Sequence, residues 1–311
     1  MIPAVPLLLL VLLLVQSPVA PPAIAQPYAG VTIIERMETV PRAIRIHVAR
    51  VDLAEPGIRL ALTGPGGTRE AVRQTTATHV RQAQAQLGVN AHFFLPFPSP
   101  DPDANLIGLA ASDGRVFSGF ESPTQSYALV ADAPAVHIDR TNRASIVHRD
   151  PGDPEGRRVL GDNGLWTAVS GSAQIVTDGR VTIPEYRDAE HPAGLLTPGG
   201  PGMYSNARSW YEAVNARTAI GLSRDGRTVT LVAVDARGGS LGMTVRELAT
   251  MLVGDYDVWQ ALNLDGGEST SMVLADPATS EPRVLTTSAD GPTGRAVASS
   301  LLVFARKTTA N

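Results

Sequence analysis

The sequence predicts an α+β (mixed α/β) fold, in which a twisted, largely antiparallel sheet with flanking helices forms a single domain. Three Asp-Gly pairs, at residues 113, 178 and 225, lie between apolar runs. Such pairs favour tight hairpin turns, which make the neighbouring strands antiparallel. Two longer segments carry apolar residues at helical spacing instead. Several hairpins combined with two or three helices are typical of an α+β domain.

The first half of the chain alternates between strand and helix signals. Three β-branched segments between residues 31 and 63 are separated by Pro and Gly, which predicts strands. Helical spacing from Thr68 to Leu87, stopped by Gly88, predicts the first helix. The segment VNAHFF (89–94) is predicted as a strand, and the prolines of FPSPDPDAN (97–105) predict a loop.

The second half contains the better defined helix. Thr244 followed by Glu247 forms a capping box, and Val245, Leu248 and Leu252 share one apolar face. The strand ALNL (261–264) follows, and further strand signals lie in SMVL, RVLT and ASSLLVFA near the end of the chain. The charged segment from about residue 139 to 163 is interpreted as an insertion and not as a domain boundary.

The N-terminal residues 1–25 have the pattern of a secretory signal peptide. An apolar run from Leu7 to Val15 precedes the small-residue site Ala23-Ile24-Ala25, so we expect cleavage near Gln26 and a secreted or periplasmic domain over residues 26–311. An uncleaved anchor is the alternative. No later segment has the roughly 20 apolar residues that a membrane span needs.

Composition excludes two classes of protein. The chain contains no cysteine, so it is not a small disulfide-stapled domain. Its 26 basic and 30 acidic residues give a formal charge of -4, whereas a general nucleic-acid-binding protein has a basic excess. We therefore expect no nucleic-acid partner.

The stretch NLDGG is the first candidate site. In an extended strand, Asn263 and Asp265 lie on the same face, and Asp265 stands at the carboxyl end of the strand. Gly266 and Gly267 would allow a substrate to approach the backbone and would offer N–H groups to an anion. The alternative interpretation is an ordinary turn, with Ser269 beginning the next strand.

Two further segments carry polar side chains suited to a sugar or a phosphate. The same alternation puts Asn90 and His92 on one face; the amide could bind a sugar hydroxyl and the imidazole could serve as acid, base or donor. Arg217, at the start of a predicted strand, could hold a phosphate or carboxylate in a bidentate manner. A structural histidine and a surface ion pair are the respective alternatives.

Several familiar motifs are absent or incomplete. Asp101-x-Asp103-x-Asn105 opens like a calcium loop, but Leu106 and Ser112 replace its glycine and closing glutamate. There is no nucleophile elbow, zinc-binding HExxH or phosphate loop. Gly199-Gly200-Pro201-Gly202 is interpreted as a flexible turn.

Taken together, the segments resemble the phosphodiester glycosidase family, whose type member removes N-acetylglucosamine from a phosphate on mannose. The resemblance covers roughly residues 30 to 306, and its most specific blocks are NLDGG and RTAIG. The segments that carry it, in family order, are GVNAHFF, IGLAASDGRV, AVSGSAQIVTDG, ARTAIGLSRDGRTVTLVAVDAR, GMTVRELATMLV, ALNLDGGESTSMV and GRAVASSLLVF.

The resemblance implies hydrolysis of the glycosidic bond of a sugar-1-phosphodiester, an envelope- or exopolysaccharide-related substrate of the N-acetylglucosamine-1-phosphodiester type. The site positions that match the family are Asn90, Arg217, Asn263 and Asp265. Two departures stand out. The family has Asn-Gly-Gly where this chain has Asn90-Ala91-His92, and it has a third glycine at the position of Glu268. If that glycine has φ > 0, Glu268 would be strained by about 1 kcal/mol or more.

The leaving group of such a reaction is a phosphate monoester, whose second pKa is about 6, so it can depart without protonation. The site would then need cations. We predict that Arg217 and Arg295 neutralise the phosphate while Asp265 stabilises an oxocarbenium-like centre or activates water. The remaining predicted roles are substrate contacts from Asn90, Asn263, Gly266, Gly267, Ser269 and Thr270, and a second acid or base from Glu268 or His92.

Two alternatives stay open at the level of sequence. No cofactor is certain; a divalent cation held by Asp265 and Glu268 is one option, although the sequence contains no full ligand set. The competing function is a non-catalytic module that binds cell-envelope polysaccharide, for which Trp210 and Tyr211 could supply an aromatic platform. The expected partner is a sugar phosphate or a polysaccharide in either case.

Overall fold

The computed structural model of the protein describes residues 22–120, 133–161, 164–183 and 213–308. Within these ranges the chain forms 23 strands and two α-helices. Most of the predicted signal peptide, the glycine-rich turn at 199–202 and the aromatic pair Trp210 and Tyr211 lie outside the described residues.

The strands of the first half are short, apart from two longer ones near the N-terminus. In chain order they are β1 Ala23–Tyr28, β2 Val31–Glu38, β3 Ile44–Asp52, β4 Arg59–Leu62, β5 Ala71–Val72, β6 Gln74–Thr75, β7 Leu87–Asn90, β8 Phe94–Leu95, β9 Asp103–Leu106, β10 Ala110–Ser112, β11 Arg115–Ser118, β12 Ala135–Ile138 and β13 Ala144–Val147. Helix α1, Thr76–Ala83, lies between β6 and β7.

The second half has the same character. Its strands are β14 Thr167–Ser170, β15 Ala173–Thr177, β16 Arg180–Val181, β17 Arg217–Leu222, β18 Thr228–Val234, β19 Gln260–Asn263, β20 Met272–Ala275, β21 Pro282–Val284, β22 Ala296–Val297 and β23 Ser300–Phe304. Helix α2, Val245–Tyr256, lies between β18 and β19, and a 3-10 turn covers Gly267–Ser269.

The predicted α+β class is wrong, because the described chain is largely antiparallel β-structure with only two helices. The first predicted helix, Thr68 to Leu87, was much too long. The Thr75 side chain accepts a hydrogen bond from the Thr78 amide and so caps the helix there, and Gln84 ends it in a left-handed conformation. β-branched residues favour strands, and the residues before Thr76 form β5 and β6.

Other local predictions agree with the structure. Helix α2 begins at the predicted capping box, in which the Thr244 hydroxyl accepts from the Glu247 amide and the Glu247 carboxylate accepts from the Thr244 amide. The three Asp-Gly pairs connect β10 with β11, β15 with β16 and β17 with β18, all antiparallel. Local capping and turn chemistry therefore determined these elements.

Three sheets enclose the main core. A large sheet has the order β1-β2-β3-β18-β17-β19-β15-β16, a second has β21-β20-β7-β23-β4, and a third has β11-β10-β14-β12-β13. Buried apolar side chains from all three meet, such as Leu262 of the large sheet, Leu301 of the second and Val169 of the third. Helix α2 covers the outer face of the large sheet and α1 that of the second.

Two predicted boundaries can be placed on this fold. The segment expected to be an insertion contains β13, whose Ala144 joins the main core, so this part belongs to the third sheet. Strand β1 pairs with β2 from Ala23 onwards, so the predicted cleavage point near Gln26 falls within a strand of the large sheet. In the described ranges, neither helix is long and apolar enough to cross a membrane.

Candidate active site

The candidate site is built around the loop of residues 264–271, which leaves the large sheet after β19 and enters the second sheet at β20. Its first glycine is required by a close approach to the residue that precedes β17, and its second by a positive φ. A Cβ on Gly266 would lie 2.8 Å from the carbonyl oxygen of Ala216. Gly267 has φ of 59° and its amide donates to the same oxygen at 2.9 Å. The Gly267 amide, predicted to face an anion, is therefore used within the protein.

Asp265 is the titratable group at the centre of this loop. Part of its surface is accessible to solvent, yet it lies so deep among protein atoms that burial raises the pKa of its carboxyl group to about 7. The Ser269 hydroxyl, the positive charge of Arg295 and the Gly266 amide lower the pKa in part. A partly exposed residue whose carboxyl group is poorly solvated is the setting in which proteins perturb the pKa of catalytic groups.

Asn90 binds the loop backbone at Asp265 and again at Ser271. Its Nδ2 donates to the carbonyl oxygen of Asp265 at 2.6 Å, and its Oδ1 accepts from Thr218 Oγ1 at 2.8 Å and from the Ser271 amide at 2.9 Å. The side chain is fully buried. These contacts make Asn90 a positioning residue for the loop and leave its predicted sugar contact without support from the geometry.

Arg295 is the positively charged residue that lowers the pKa of Asp265, and it also lowers the pKa of Glu268, although Arg237 has the larger effect there. Its Nε donates to Asp290 Oδ2 at 2.7 Å. Within the described residues, no hydrogen bond occupies its two terminal nitrogens. The guanidinium therefore keeps the two donors that a phosphate would need.

Beside Arg295 lies an exposed aromatic ring that sequence analysis did not single out. The Phe97 ring centroid is 5.3 Å from Arg295 Cζ, and 36% of Phe97 is exposed. Its loop is held by Arg73, which donates to the carbonyl oxygens of Ser99 and Pro96. The loop prediction for this segment gave no sign that Phe97 would reach a residue almost 200 positions later in the chain.

Glu268 has a different environment from Asp265. Its Oε1 accepts from Nε and Nη2 of Arg237, and its Oε2 accepts from the Ala289 amide at 2.9 Å. The hydrogen bonds from Arg237 hold the pKa of Glu268 below its ordinary value. The expected strain does not arise, since Gly267 takes the positive φ and Glu268 does not. These contacts favour a positioning role over the predicted acid–base role.

The guanidinium of Arg217 faces backbone carbonyls. Its Nε donates to Met243 O at 2.9 Å and its Nη2 donates to Ala213 O. The side chain is buried, and burial lowers its pKa to about 10, while Glu247 acts in the opposite direction. In the described part of the chain no contact joins its guanidinium to Asp265, so the phosphate contact predicted for Arg217 stays a prediction.

His92 is enclosed by protein. Its Nδ1 lies 3.0 Å from Ser299 Oγ, and its Nε2 lies 3.0 Å from the carbonyl oxygen of Leu109 and 3.1 Å from the Ser170 amide. Burial lowers its pKa to about 4. A neutral ring with both nitrogens occupied favours the structural alternative over the predicted role as acid or base.

The other predicted contacts of the loop are also buried. Asn263 Nδ2 donates to Ser172 Oγ at 2.8 Å, while its Oδ1 and the Ser271 hydroxyl find no partner among the described residues. Ser269 donates to Asp265, and Thr270 Oγ1 lies 3.4 Å from Thr218 Oγ1. Among the described residues, no three metal-ligating side chains lie together.

Comparison with known proteins identifies relatives of this chain. The phosphodiester glycosidase family model matches residues 83–304. Human N-acetylglucosamine-1-phosphodiester alpha-N-acetylglucosaminidase is 26% identical over 272 residues, which cover 84% of this chain and 46% of the human protein. The chain thus spans less than half the length of this relative.

Two solved structures share the fold. The catalytic domain of the zebrafish N-acetylglucosamine-1-phosphodiester alpha-N-acetylglucosaminidase, auto-inhibited by its pro-peptide, superposes with a TM-score of 0.59 at 19% identity, covering 94% of this chain and 85% of that one. A hypothetical protein from Synechocystis gives a TM-score of 0.60 at 18% identity, covering 92% and 64%.

Proposed function

Because the chain belongs to the phosphodiester glycosidase family, we propose that it hydrolyses the glycosidic bond of a sugar-1-phosphodiester. The observation that carries this proposal is Asp265, a partly exposed residue whose carboxyl pKa is raised by burial to about 7, and on which Arg295 acts with terminal nitrogens that no described residue occupies. A carboxylate for the sugar and a guanidinium for the phosphate are the two charges that the reaction requires.

The substrate is of the N-acetylglucosamine-1-phosphodiester type, by analogy with the name of the human relative. An envelope or exopolysaccharide substrate would be consistent with the signal peptide that the sequence predicts. An ordinary glycosidase needs an acid to protonate an alkoxide leaving group. A phosphate monoester departs as an anion, so a second acid is unnecessary and a cation takes its place.

In the proposed reaction, the bond between the anomeric carbon and the phosphate oxygen breaks, and its electron pair goes to that oxygen. Arg295 stabilises the charge that develops on the phosphate. Asp265, ionised, stabilises the oxocarbenium-like centre or takes the proton of the water that attacks the anomeric carbon. Ser269 orients Asp265 by its hydrogen bond, and Asn90 fixes the backbone at that point.

The test is release of free sugar and phosphomonoester from an N-acetylglucosamine-1-phosphodiester. We expect release by the wild type and a loss of at least about 1,000-fold in Asp265→Asn, because the reaction loses its carboxylate. Asp178→Asn is the matched control, since Asp178 occupies a left-handed hairpin position that Asn tolerates.

Equal rates for the wild type and Asp265→Asn would contradict the assignment of Asp265. Sugar binding without release by any of these proteins would favour the alternative, a non-catalytic polysaccharide-binding module. Repeating the assay with and without an added divalent ion tests whether the site uses a cation.

A further inference from the structure

A short segment of residues 286–290 follows β21 and carries the hydrogen-bond partner of Arg295. Asp290 Oδ2 accepts from Arg295 Nε at 2.7 Å, and the Asp290 amide donates to Ser288 Oγ at 3.1 Å. The segment is neither helix nor strand, and Ala289 and Asp290 are exposed. Because such a segment lacks the regular hydrogen bonds of a sheet, its conformation depends on the side chains that bind its backbone.

Asp235 binds this segment from the large sheet. It follows β18 directly, and its amide donates to the carbonyl oxygen of Arg45 in β3 at 3.0 Å. Its side chain is buried, with Oδ1 accepting from the Thr287 amide at 2.9 Å and Oδ2 accepting from the Thr287 hydroxyl at 3.4 Å. A buried carboxylate is stable only when it is paired and hydrogen-bonded. Asp235 therefore links Thr287 to a fixed point of the large sheet.

Strand β3 holds the other side of the Asp235 carboxylate. His47 Nε2 lies 3.3 Å from Asp235 Oδ2, and Arg45 Nη1 lies 3.9 Å from the same oxygen. The His47 ring is buried, so water does not compete for this contact. Since Oδ2 faces β3, Oδ1 stays directed at the Thr287 amide, which fixes the orientation of the carboxylate.

Glu268 binds the same segment two residues further on. Its Oε2 accepts from the Ala289 amide at 2.9 Å. The backbone is thus held on both sides of Ser288, by the large sheet on one side and by the loop of residues 264–271 on the other. The Glu268 side chain is 28% exposed, whereas that of Asp235 is 0% exposed. Asp235 is the more rigid of the two anchors, because its hydrogen bonds are protected from water.

We infer that Asp235 is a positioning residue, which sets the place of the Arg295 guanidinium beside the substrate phosphate. It acts through the segment of residues 286–290, which it binds at Thr287 and which reaches Arg295 at Asp290. The inference rests on the proposed function, because that function assigns the phosphate to Arg295. A substrate-binding group that is displaced by about 1 Å can lower the rate of a reaction by as much as about 100-fold, even when the substitution lies away from the reacting atoms.

The first measurement observes Arg295 without substrate. The full chain labelled with 15N-arginine gives an NMR signal for each arginine Nε–H group, and Arg295→Lys identifies the signal of Arg295. Asp235→Ala should raise the rate at which this proton exchanges with water by about tenfold or more, the change expected when a hydrogen bond to a charged group is lost. Asp235→Asn keeps an acceptor for the Thr287 amide but loses the acceptor for its hydroxyl, so it should raise the rate by less.

Asp153→Ala is the matched control. Asp153 is also a buried carboxylate, and its Oδ2 accepts from the amides of Arg157 and Arg158 at 2.7 Å. In the part of the chain that the structure describes, none of its hydrogen bonds reaches the candidate active site. Its removal should therefore lower stability and leave the exchange rate at Arg295 unchanged.

The second measurement is kcat/KM for an N-acetylglucosamine-1-phosphodiester. Asp235→Ala should lower it by about tenfold. The pH midpoint should move upwards, as in Arg295→Ala, because Arg295 lowers the pKa of Asp265. Asp235→Ala combined with Arg295→Ala should be no slower than Arg295→Ala alone, since Asp235 acts through that guanidinium. A general structural effect of losing Asp235 would instead multiply the loss caused by Arg295→Ala.

Three results would overturn the inference. They are unchanged exchange at Arg295 Nε in every Asp235 variant that folds, the same increase in Asp153→Ala, and losses that multiply when the two alanine substitutions are combined. If the wild type released no sugar, the proposed function would fail, and the exchange rates would still decide whether Asp235 positions Arg295.

Discussion

The loop of residues 264–271 contains two carboxylates only three positions apart, Asp265 and Glu268, and their environments are opposite. Asp265 has no ion pair within hydrogen-bond distance among the described residues, and burial raises its pKa to about 7. Glu268 is held by Arg237 and by the Ala289 amide, and its pKa is lowered. The partner available to a carboxylate, and not its position in a motif, decides which one is free for chemistry.

After Asp265→Asn, the largest expected effect on activity comes from removing Arg295, the cation that acts on Asp265. Arg295→Ala should lower kcat/KM by about 100-fold or more, because the developing phosphate charge loses its guanidinium. Since Arg295 lowers the pKa of Asp265, its removal should also move the pH midpoint of kcat/KM upwards. Arg295→Lys should recover part of the rate. Unchanged kinetics in Arg295→Ala would remove this residue from the site.

Asn90→Ala should be the most damaging change to stability. Three hydrogen bonds to a fully buried amide are lost, each contributing about 1 kcal/mol, so we expect a loss of about 2–3 kcal/mol in the free energy of unfolding. Urea unfolding measures this. Asn90→Asp should fail to rescue it, because a carboxylate cannot donate to the Asp265 carbonyl; full rescue would contradict the positioning role.

These expectations show what sequence analysis can supply. The capping box of α2 and the Asp-Gly hairpins depend on neighbouring residues, and the sequence predicted them. The extent of α1 was mispredicted because helical spacing from Thr68 to Leu87 did not reveal that Ala71 and Val72 would pair with β9.

Contacts between residues far apart in the sequence also limited the prediction of the candidate site. The motif NLDGG singled out Asp265 as a candidate, but the partners of Asn90 lie 128 to 181 residues away in the chain. Thr218, Arg237 and Phe97 gave no local signal, because their importance comes from contacts across sheets and loops. The NAHFF pattern suggested a substrate contact for Asn90, and only the packed structure shows its hydrogen bonds inside the protein.

Removing the charge of Asp265 and removing that of Glu268 should change the pH dependence of stability in different ways. Because burial raises the folded-state pKa of Asp265 to about 7, ionising this group destabilises the fold. The protonated group therefore contributes its full stability below the unfolded pKa near 4, and that contribution to the free energy of unfolding is lost as the pH rises through about 7. Asp265→Asn should therefore gain stability relative to the wild type as the pH rises over this range, on the order of 4 kcal/mol in full.

Thermal unfolding of the wild type and Asp265→Asn between pH 4 and 8 measures this difference. Glu268→Gln is the matched variant and should show no such gain, since the pKa of Glu268 is lowered. A constant difference between Asp265→Asn and the wild type at every pH would contradict the raised pKa.

The smallest expected effect on activity is that of Glu268→Gln. The glutamine keeps the shape and an acceptor for Arg237, so kcat/KM should fall by less than about tenfold, with its pH midpoint unchanged. Steady-state rates across the pH range measure both quantities. A loss as large as that of Asp265→Asn would mean that Glu268 takes part in the chemistry, as the sequence first suggested.

The most direct test of the account is the pH dependence of kcat/KM for an N-acetylglucosamine-1-phosphodiester, since this quantity reports the ionisations of the free enzyme. We predict a rate that rises with pH through a midpoint of about 7, the pKa of Asp265, in the wild type and in Asp178→Asn. Asp265→Asn should show no such rise. A rate that is independent of pH between 5 and 9, or a rise that survives in Asp265→Asn, would contradict the claim that Asp265 is the catalytic carboxylate.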